Sequence, residues 1–286
     1  MSRNEDRLGL GTNPNPDQAP VPAVATPGGP AFSWSVPTEF VELPSQGIFY
    51  PAGHPLAGQK TVEIRYMTAK EEDILTSRSL LKEGVALDRM LQNIIVNQDI
   101  DITSLLVGDK NALLVAARRT GYGPEYQTKV TCPACDSVEE YSFDISEPPC
   151  NDFRKEAEDN GVNFTSDGLF TIRLPMSNVE VVCRLLTSED EGRLLKEAQR
   201  KDKRKQASAS STDAFRSYIV SVNGDDSIFT IESFVQSMPA RDARHLRNVY
   251  AAIVPNIVLN QNFECLNCGY EADMEVPLGL DFFWPG

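Results

Sequence analysis

The chain has little histidine, little tryptophan and no long apolar run. Only two histidines and two tryptophans occur in 286 residues. His54 lies in a Pro/Gly-rich loop and His245 among arginines, and neither has a serine, cysteine or carboxylate beside it in a nucleophile pattern. The phosphate-cradling G-x-x-x-x-G-K-[ST] and the dinucleotide G-x-G-x-x-G signatures are both absent. The acidic residues of "TAKEED" suit a first helical turn, where the helix macrodipole favours negative charge. The expectation is a protein that is not an enzyme. No stretch approaches eighteen consecutive apolar residues, so no membrane-spanning helix is expected. "MSRNEDRLGLGTNPNPDQAP" carries early acidic residues and lacks the apolar centre of a secretory signal. Cytoplasmic residence is therefore expected, and with it few structural disulfides.

Basic charge is scarce as well. Lysine and arginine number 27 against 41 acidic residues, a net charge of −14. That balance argues against a general nucleic-acid binder, which needs clustered cations to neutralise phosphates. It favours basic protein partners instead. One stretch departs from it, "RLLKEAQRKDKRK" from Arg193 to Lys205. It reads as a solvated helix face running into a loop, with a docking surface for an acidic partner as the alternative.

What is present is enough for a real core. The composition is 41% hydrophobic and 24% charged, and the length suits one large domain or two ordinary ones. Residues 1–36, rich in Pro, Ala, Gly and Asn, lack apolar periodicity and are expected to be disordered or extended. "FVELPSQGIFYPAG" reads as short irregular strands, and "KTVEIRYMT" as a strand with Val62, Ile64 and Tyr66 at alternate positions. Thr68 and Glu71 form a capping box for a helix bearing Ile74, Leu75, Leu80 and Leu81, with Gly84 as its stop. "VALDRMLQNIIV" predicts a second helix. "DKNALLVAARRTGYG" predicts a third, with Asp109 at its cap and Gly121 as the left-handed residue beyond its end.

From Tyr126 the period becomes two. "YQTKVTC" and "VEEYSFDI" are expected strands, the latter alternating Tyr141, Phe143 and Ile145. Further on, "LFTIRLPMSNVEVVCRLL" reads as a hairpin turned at Ser177–Asn178, after a turn at Asp167–Gly168. Ser188 is expected to cap a charged helix running into the polar "KDKRKQASASSTD". "DAFRSYIVSVNG", "IESFVQSM" and "ARDARHLRNVYAAI" predict three more helices, Pro239 starting the last.

Six cysteines remain to be explained. Cys132 and Cys135 form a C-x-x-C, a spacing shared by redox pairs, metal knuckles and chance neighbours. Cys265 and Cys268 repeat it, and the surroundings repeat too. "KVTCPACDSVEEYSFDI" and "NFECLNCGYEADMEVPL" each set a strand, a knuckle and a second strand in order. Two such knuckles are the layout of a zinc ribbon, in which four thiolates surround one Zn²⁺ at about 2.3 Å. Gly269 can take the left-handed conformation that a knuckle requires, and Asp136 holds the matching place in the first. A redox pair would need a helix after its first cysteine, and the residues after Cys135 alternate as a strand does. Redox-active and unliganded buried thiols stay open beside the metal reading. Zinc is preferred to iron because nothing suggests an electron-transfer partner, although the ligand type suits both. The long interval between the knuckles costs ~2 kcal/mol more to close than a loop of about fifteen residues. A structural zinc contributes on the order of 10 kcal/mol, which covers that cost. With four protein ligands no coordination position is left for catalysis.

The expected fold is α+β, helical lobes joined by a small zinc ribbon of two distant knuckles. Its divisions are a tail at 1–36 and a β arm with a helical lobe at 37–125. The ribbon follows at 126–150 together with 256–286. An inserted hairpin and helical lobe at 151–255 carries a basic linker at 196–212. Cys183, within an apolar strand, is expected to be a buried thiol, and Cys150 has no evident partner. Phe282, Phe283 and Trp284 either fold back against the ribbon or stand out as a partner-binding anchor.

Several stretches together resemble a known group. "LPSQGIFYPAG", "MTAKEEDILTSRSLLKEG", "LLVGDKNALLVAARRTGYGPEY" and the terminal "DFFWP" are similar to the baseplate hub assembly proteins of T-even-type bacteriophages. The likeness runs from Phe40 to Trp284, is firmest between Leu43 and Tyr126, and leaves out the N-terminal tail and the basic linker. The resemblance implies a non-enzymatic virion or assembly protein of a contractile tail. Such a protein would contact other tail and baseplate hub proteins, without a membrane, in the virion or in the cytoplasm of the infected bacterium. A zinc-ribbon module for nucleic acid or transcription is the alternative, with the basic run in its favour and the net charge against it.

Overall fold

Short β-hairpins alternate with helices along the chain, an α+β arrangement. The computed structural model describes residues 35–165, 168–203, 210–276 and 280–283. The expected N-terminal tail up to residue 34, Asp167 of the expected turn, Trp284 and the linker core at 204–209 lie outside them. Residues Val36–Gly286 form one unit.

Strand β1 (Thr38–Glu42) pairs antiparallel with β2 (Thr61–Arg65). Between them the chain makes successive turns instead of the expected irregular strands, for example Gln46 N to Leu43 O at 2.9 Å and Ala57 N to His54 O at 2.9 Å. Gly47 lies at the crossing of these turns with φ +69°, and a Cβ there would overlap the Gln59 and Leu56 carbonyl oxygens. Only glycine fits that position.

Helix α1 (Ala69–Thr76) begins where the capping box places it. The Glu71 carboxylate accepts from the Thr68 N–H at 2.9 Å and from its hydroxyl at 2.8 Å. The same carboxylate takes two hydrogen bonds from Arg65 at 2.7 and 2.9 Å, at the end of β2. The chain breaks at Ser77 and resumes as α2 (Arg78–Glu83), which Gly84 stops in the left-handed conformation. Helix α3 (Ala86–Ile94) turns Met90, Leu91 and Ile94 into the core.

Helix α4 (Val107–Tyr122) is buried on almost every side, and its buried charged residues Asp109, Lys110 and Arg118 each have hydrogen-bond partners. Asp109 is not its cap. Leu106 holds that place, and Asp109 lies one turn in, fully buried. There it accepts from the Ser45 N–H at 2.9 Å, the Ser45 hydroxyl and the Tyr50 hydroxyl. The aspartate clamps the β1–β2 connection to the central helix. Gly121 is helical, and Gly123 ends the helix instead.

Strands β3 (Glu125–Thr131) and β4 (Val138–Asp144) form the first cysteine hairpin. After α5 (Phe153–Asp159), β5 (Leu169–Arg173) and β6 (Glu180–Arg184) make the expected hairpin, turned at Asn178 with φ +61°. Helix α6 (Ser188–Lys203) starts one residue earlier than a Ser188 cap implies. Thr187 is the capping residue, its hydroxyl accepting from the Asp190 N–H at 3.4 Å while Asp190 takes the Thr187 N–H at 3.0 Å. Helix α7 (Ser210–Tyr218) ends before the expected place, because Ile219–Val222 pairs with β6 as a third strand, β7. The β-branched residues of "IVSV" fill an open strand edge, and that pairing overrides a helical period. Helices α8 (Ile228–Ser237) and α9 (Ala240–Ile253) follow. The Asp242 carboxylate on α9 holds the β5–β6 turn through the N–H groups of Met176 and Ser177, at 2.8 and 2.9 Å. The chain closes with β8 (Asn260–Glu264) paired to β9 (Glu271–Glu275).

Candidate metal centre

Each cysteine hairpin turns through its knuckle in the same way. In the first, the Cys132 N–H reaches Ser137 O at 2.8 Å and the Asp136 N–H reaches Cys132 O at 2.9 Å. In the second, the Cys265 N–H reaches Tyr270 O at 2.9 Å and the Gly269 N–H reaches Cys265 O at 2.8 Å. Both turns need a residue at positive φ after the second cysteine, and Asp136 and Gly269 supply it at 56° and 69°. The shared conformation explains why two different residue types stand at one position.

The hairpins meet side by side. The Tyr141 hydroxyl donates to Asn262 O at 2.7 Å and its ring packs edge-on against Phe263. Gln261 exchanges hydrogen bonds with both main-chain groups of Asp144. This contact brings the four thiols together. Cys132 Sγ lies 3.8 Å from Cys268 Sγ, and Cys135 Sγ lies 3.7 Å from Cys265 Sγ. All four sulfurs fall within 4.8 Å of one another.

These separations are far longer than the ~2.05 Å of a disulfide. They match the edge of a tetrahedron with metal–sulfur bonds of ~2.3 Å, which is ~3.8 Å. Donor type, number and spacing therefore all fit a tetrahedral thiophilic cation. Cys132 and Cys265 are buried, while Cys135 and Cys268 face the surface, so the cluster has one wet side through which an ion can enter.

Neighbouring groups shift two of the thiols in opposite directions. Hydrogen bonds from the Ser137 hydroxyl and N–H hold the Cys135 thiol down at about 6. The Tyr270 N–H favours the Cys268 thiolate, but the adjoining thiols outweigh it and push that group up to about 12. One thiol gives up its proton readily and another resists, which a bound cation would relieve. Glu139 ties the knuckles together. From β4 its carboxylate accepts the Leu266 N–H at 3.0 Å and the Asn267 N–H at 3.2 Å, across the hairpin boundary. Those bonds, led by the Leu266 N–H, hold its carboxyl below the ordinary range. Sequence reasoning passed over Ser137, Glu139 and Asn267. The only signal for them was polar residues placed next to cysteines.

A family model described as T4 bacteriophage base plate protein matches residues 53–284. The chain belongs to that family. No curated protein and no solved structure matches it. The matched span of this baseplate protein takes in all four clustered cysteines, both aspartate clamps and the C-terminal phenylalanines. Phe282 and Phe283 are each 1% exposed. Phe282 packs edge-on against Tyr126, and its carbonyl accepts from Arg118 Nε at 2.8 Å. Both rings lie in the core beside the base of β3 and are not displayed at the surface.

The remaining cysteines and His54 of the baseplate protein are accounted for locally. Cys183 is fully buried and burial pushes its thiol up. Cys150 is exposed and bridges Ile257 through its backbone. His54 accepts the Leu56 N–H at Nδ1, at 3.1 Å, which leaves Nε2 to donate to the Ser104 hydroxyl at 2.8 Å.

Proposed function

We propose that this baseplate protein is a non-enzymatic component of the tail baseplate hub, or a factor in its assembly, working through protein–protein contacts. The observation that carries the proposal is the family match over most of the chain, from residue 53 to residue 284. One structural Zn²⁺ held by Cys132, Cys135, Cys265 and Cys268 completes a zinc ribbon between two distant parts of the chain. The four-thiol cluster supports this reading, since its spacing suits a closed tetrahedron with no open position. Zinc bound there supplies cross-linking and no reaction chemistry. Glu139 and Ser137 orient the knuckles, as outer partners of metal ligands generally do.

The net charge of −14 supports basic tail proteins as partners in preference to nucleic acid. Affinity purification of the chain from infected bacteria, with identification of what copurifies, tests the proposal. Recovery of tail or baseplate hub proteins supports it. Recovery of nucleic acid, in amounts that fall steeply with salt, would favour the zinc-ribbon nucleic-acid module instead.

A further inference from the structure

The two halves of the chain repeat one another well beyond the knuckles. Arg65, at the end of β2, precedes Thr68 and Glu71 at the spacing with which Arg184, at the end of β6, precedes Thr187 and Asp190. In each set the arginine forks onto the carboxylate, and the carboxylate takes the threonine N–H and hydroxyl. Asp109 on α4 holds the β1–β2 connection, and Asp242 on α9 holds the β5–β6 turn. The interval from Asp109 to Cys132 equals that from Asp242 to Cys265, residue for residue. The chain is thus two copies of one module, about 38–144 and 169–276, and each contributes one knuckle.

The copies are joined asymmetrically. Leu105–Val107 at the start of α4 bridges Leu186–Ser188 at the start of α6, with Val107 N to Leu186 O at 3.1 Å and Ser188 N to Leu105 O at 2.7 Å. Lys110 adds an ion pair to Glu191 at 3.0 Å across the joint. A symmetric pair would also join the equivalent segments, Met238–Ala240 at the start of α9 and Met67–Ala69 at the start of α1. Among the described residues no such bridge forms. Each chain therefore carries one unused copy of each half of the joint.

Both unused halves keep the features that the joint employs. Pro239 has φ −57° and ψ 141°, close to the −63° and 143° of Leu106. Proline suits the position, because the Leu106 N–H goes to the Tyr50 hydroxyl and takes no part in the bridge. Ala69 and Ala240, whose N–H groups match the two bridging donors, are exposed. Ile228 is 87% exposed and Phe229 83%. Glu72 stands where Glu191 stands in the second module, and exposed Arg241 and Arg244 flank the place of Lys110.

We propose that a second copy of this chain completes the joint. Met238–Ala240 of one copy bridges Met67–Ala69 of the next, and Arg241 and Arg244 face Glu72 and Asp73. The contact uses two different surfaces, so it propagates head to tail and closes as a ring or continues as a filament. This proposal does not depend on the metal.

Sedimentation velocity of the full chain over a range of concentrations tests it. Two variants block opposite ends. Ala69→Pro and Ala240→Pro each remove one bridging N–H at a first helical position, where proline is tolerated. Arg241→Glu with Arg244→Glu serves if Ala240→Pro loses helix by circular dichroism. The wild-type chain is expected to grow in mass with concentration and each variant to stay monomeric. An equimolar mixture of the two blocked ends is expected to stop at a dimer. A wild-type chain that stays monomeric throughout, or variants that associate as it does, would overturn the proposal.

Discussion

Two carboxylates show how single residues set the conditions under which this chain stays folded. Burial alone would raise Glu71, but the hydrogen bonds from Arg65 and Thr68 outweigh it and hold the group at about 2. Asp190 is held at about 2 in the same way, burial being outweighed by Arg184 and Thr187. A depressed folded value means that the stability is fully present above the ordinary carboxylate range. It is lost as pH falls from there toward about 2. Urea midpoints measured between neutral pH and the acid limit are expected to drop through that window. Arg65→Ala strands a fully buried carboxylate and is expected to cost roughly 3 kcal/mol at neutral pH, and less in acid as Glu71 protonates. A cost that did not change with pH would contradict this account of the pair. Thr68 and Glu71 were legible in the sequence because a capping box is a local pattern. The arginine that completes the buried pair was not, because its partner is defined by how the strand end folds over the helix. Glu139 escaped for a similar reason, since its partners Leu266 and Asn267 sit on the other hairpin.

At the scale of elements, local and tertiary signals disagreed in a few informative places. The helix at 107–122 was predicted from its apolar period, yet its ends were misplaced by the attraction of Asp109 and Gly121 as end signals. Asp109 is drawn inward because Ser45 and Tyr50 satisfy it. Ile219–Val222 was read as helix because the apolar period runs through it, and the open edge of β6 claims it as strand. The connection between β1 and β2 rests on Gly47, so Gly47→Ala is expected to destabilise by about 2 kcal/mol or more. Thermal melting checks this, with Gly58→Ala as a comparison, since Gly58 also has positive φ but open space where a Cβ would go. Equal losses for the two would mean that strain alone, without the overlap, governs the site. Thr187→Ala is expected to cost about 1 kcal/mol through loss of the α6 cap.

For the whole molecule the decisive feature is the meeting of two C-x-x-C hairpins that lie far apart in the chain. Their pairing was legible in the sequence, because each knuckle sits between strands and the second copies the first. The wider repetition was not. The Arg–Thr–acid sets differ in their acid, Glu71 against Asp190, and the unequal stretches between each set and its aspartate clamp hide the common order until the contacts are seen. If zinc closes the site, chelation is expected to lower the unfolding temperature. Glu139→Gln is expected to bind the metal more weakly, by roughly ten- to a hundredfold, without unfolding the chain.

Native mass spectrometry of the full chain, isolated without added metal, tests the central claim most directly. One zinc ion per chain is expected, with none retained after Cys268→Ser. A chain that is folded and metal-free, with four thiols free or joined as disulfides, would contradict it.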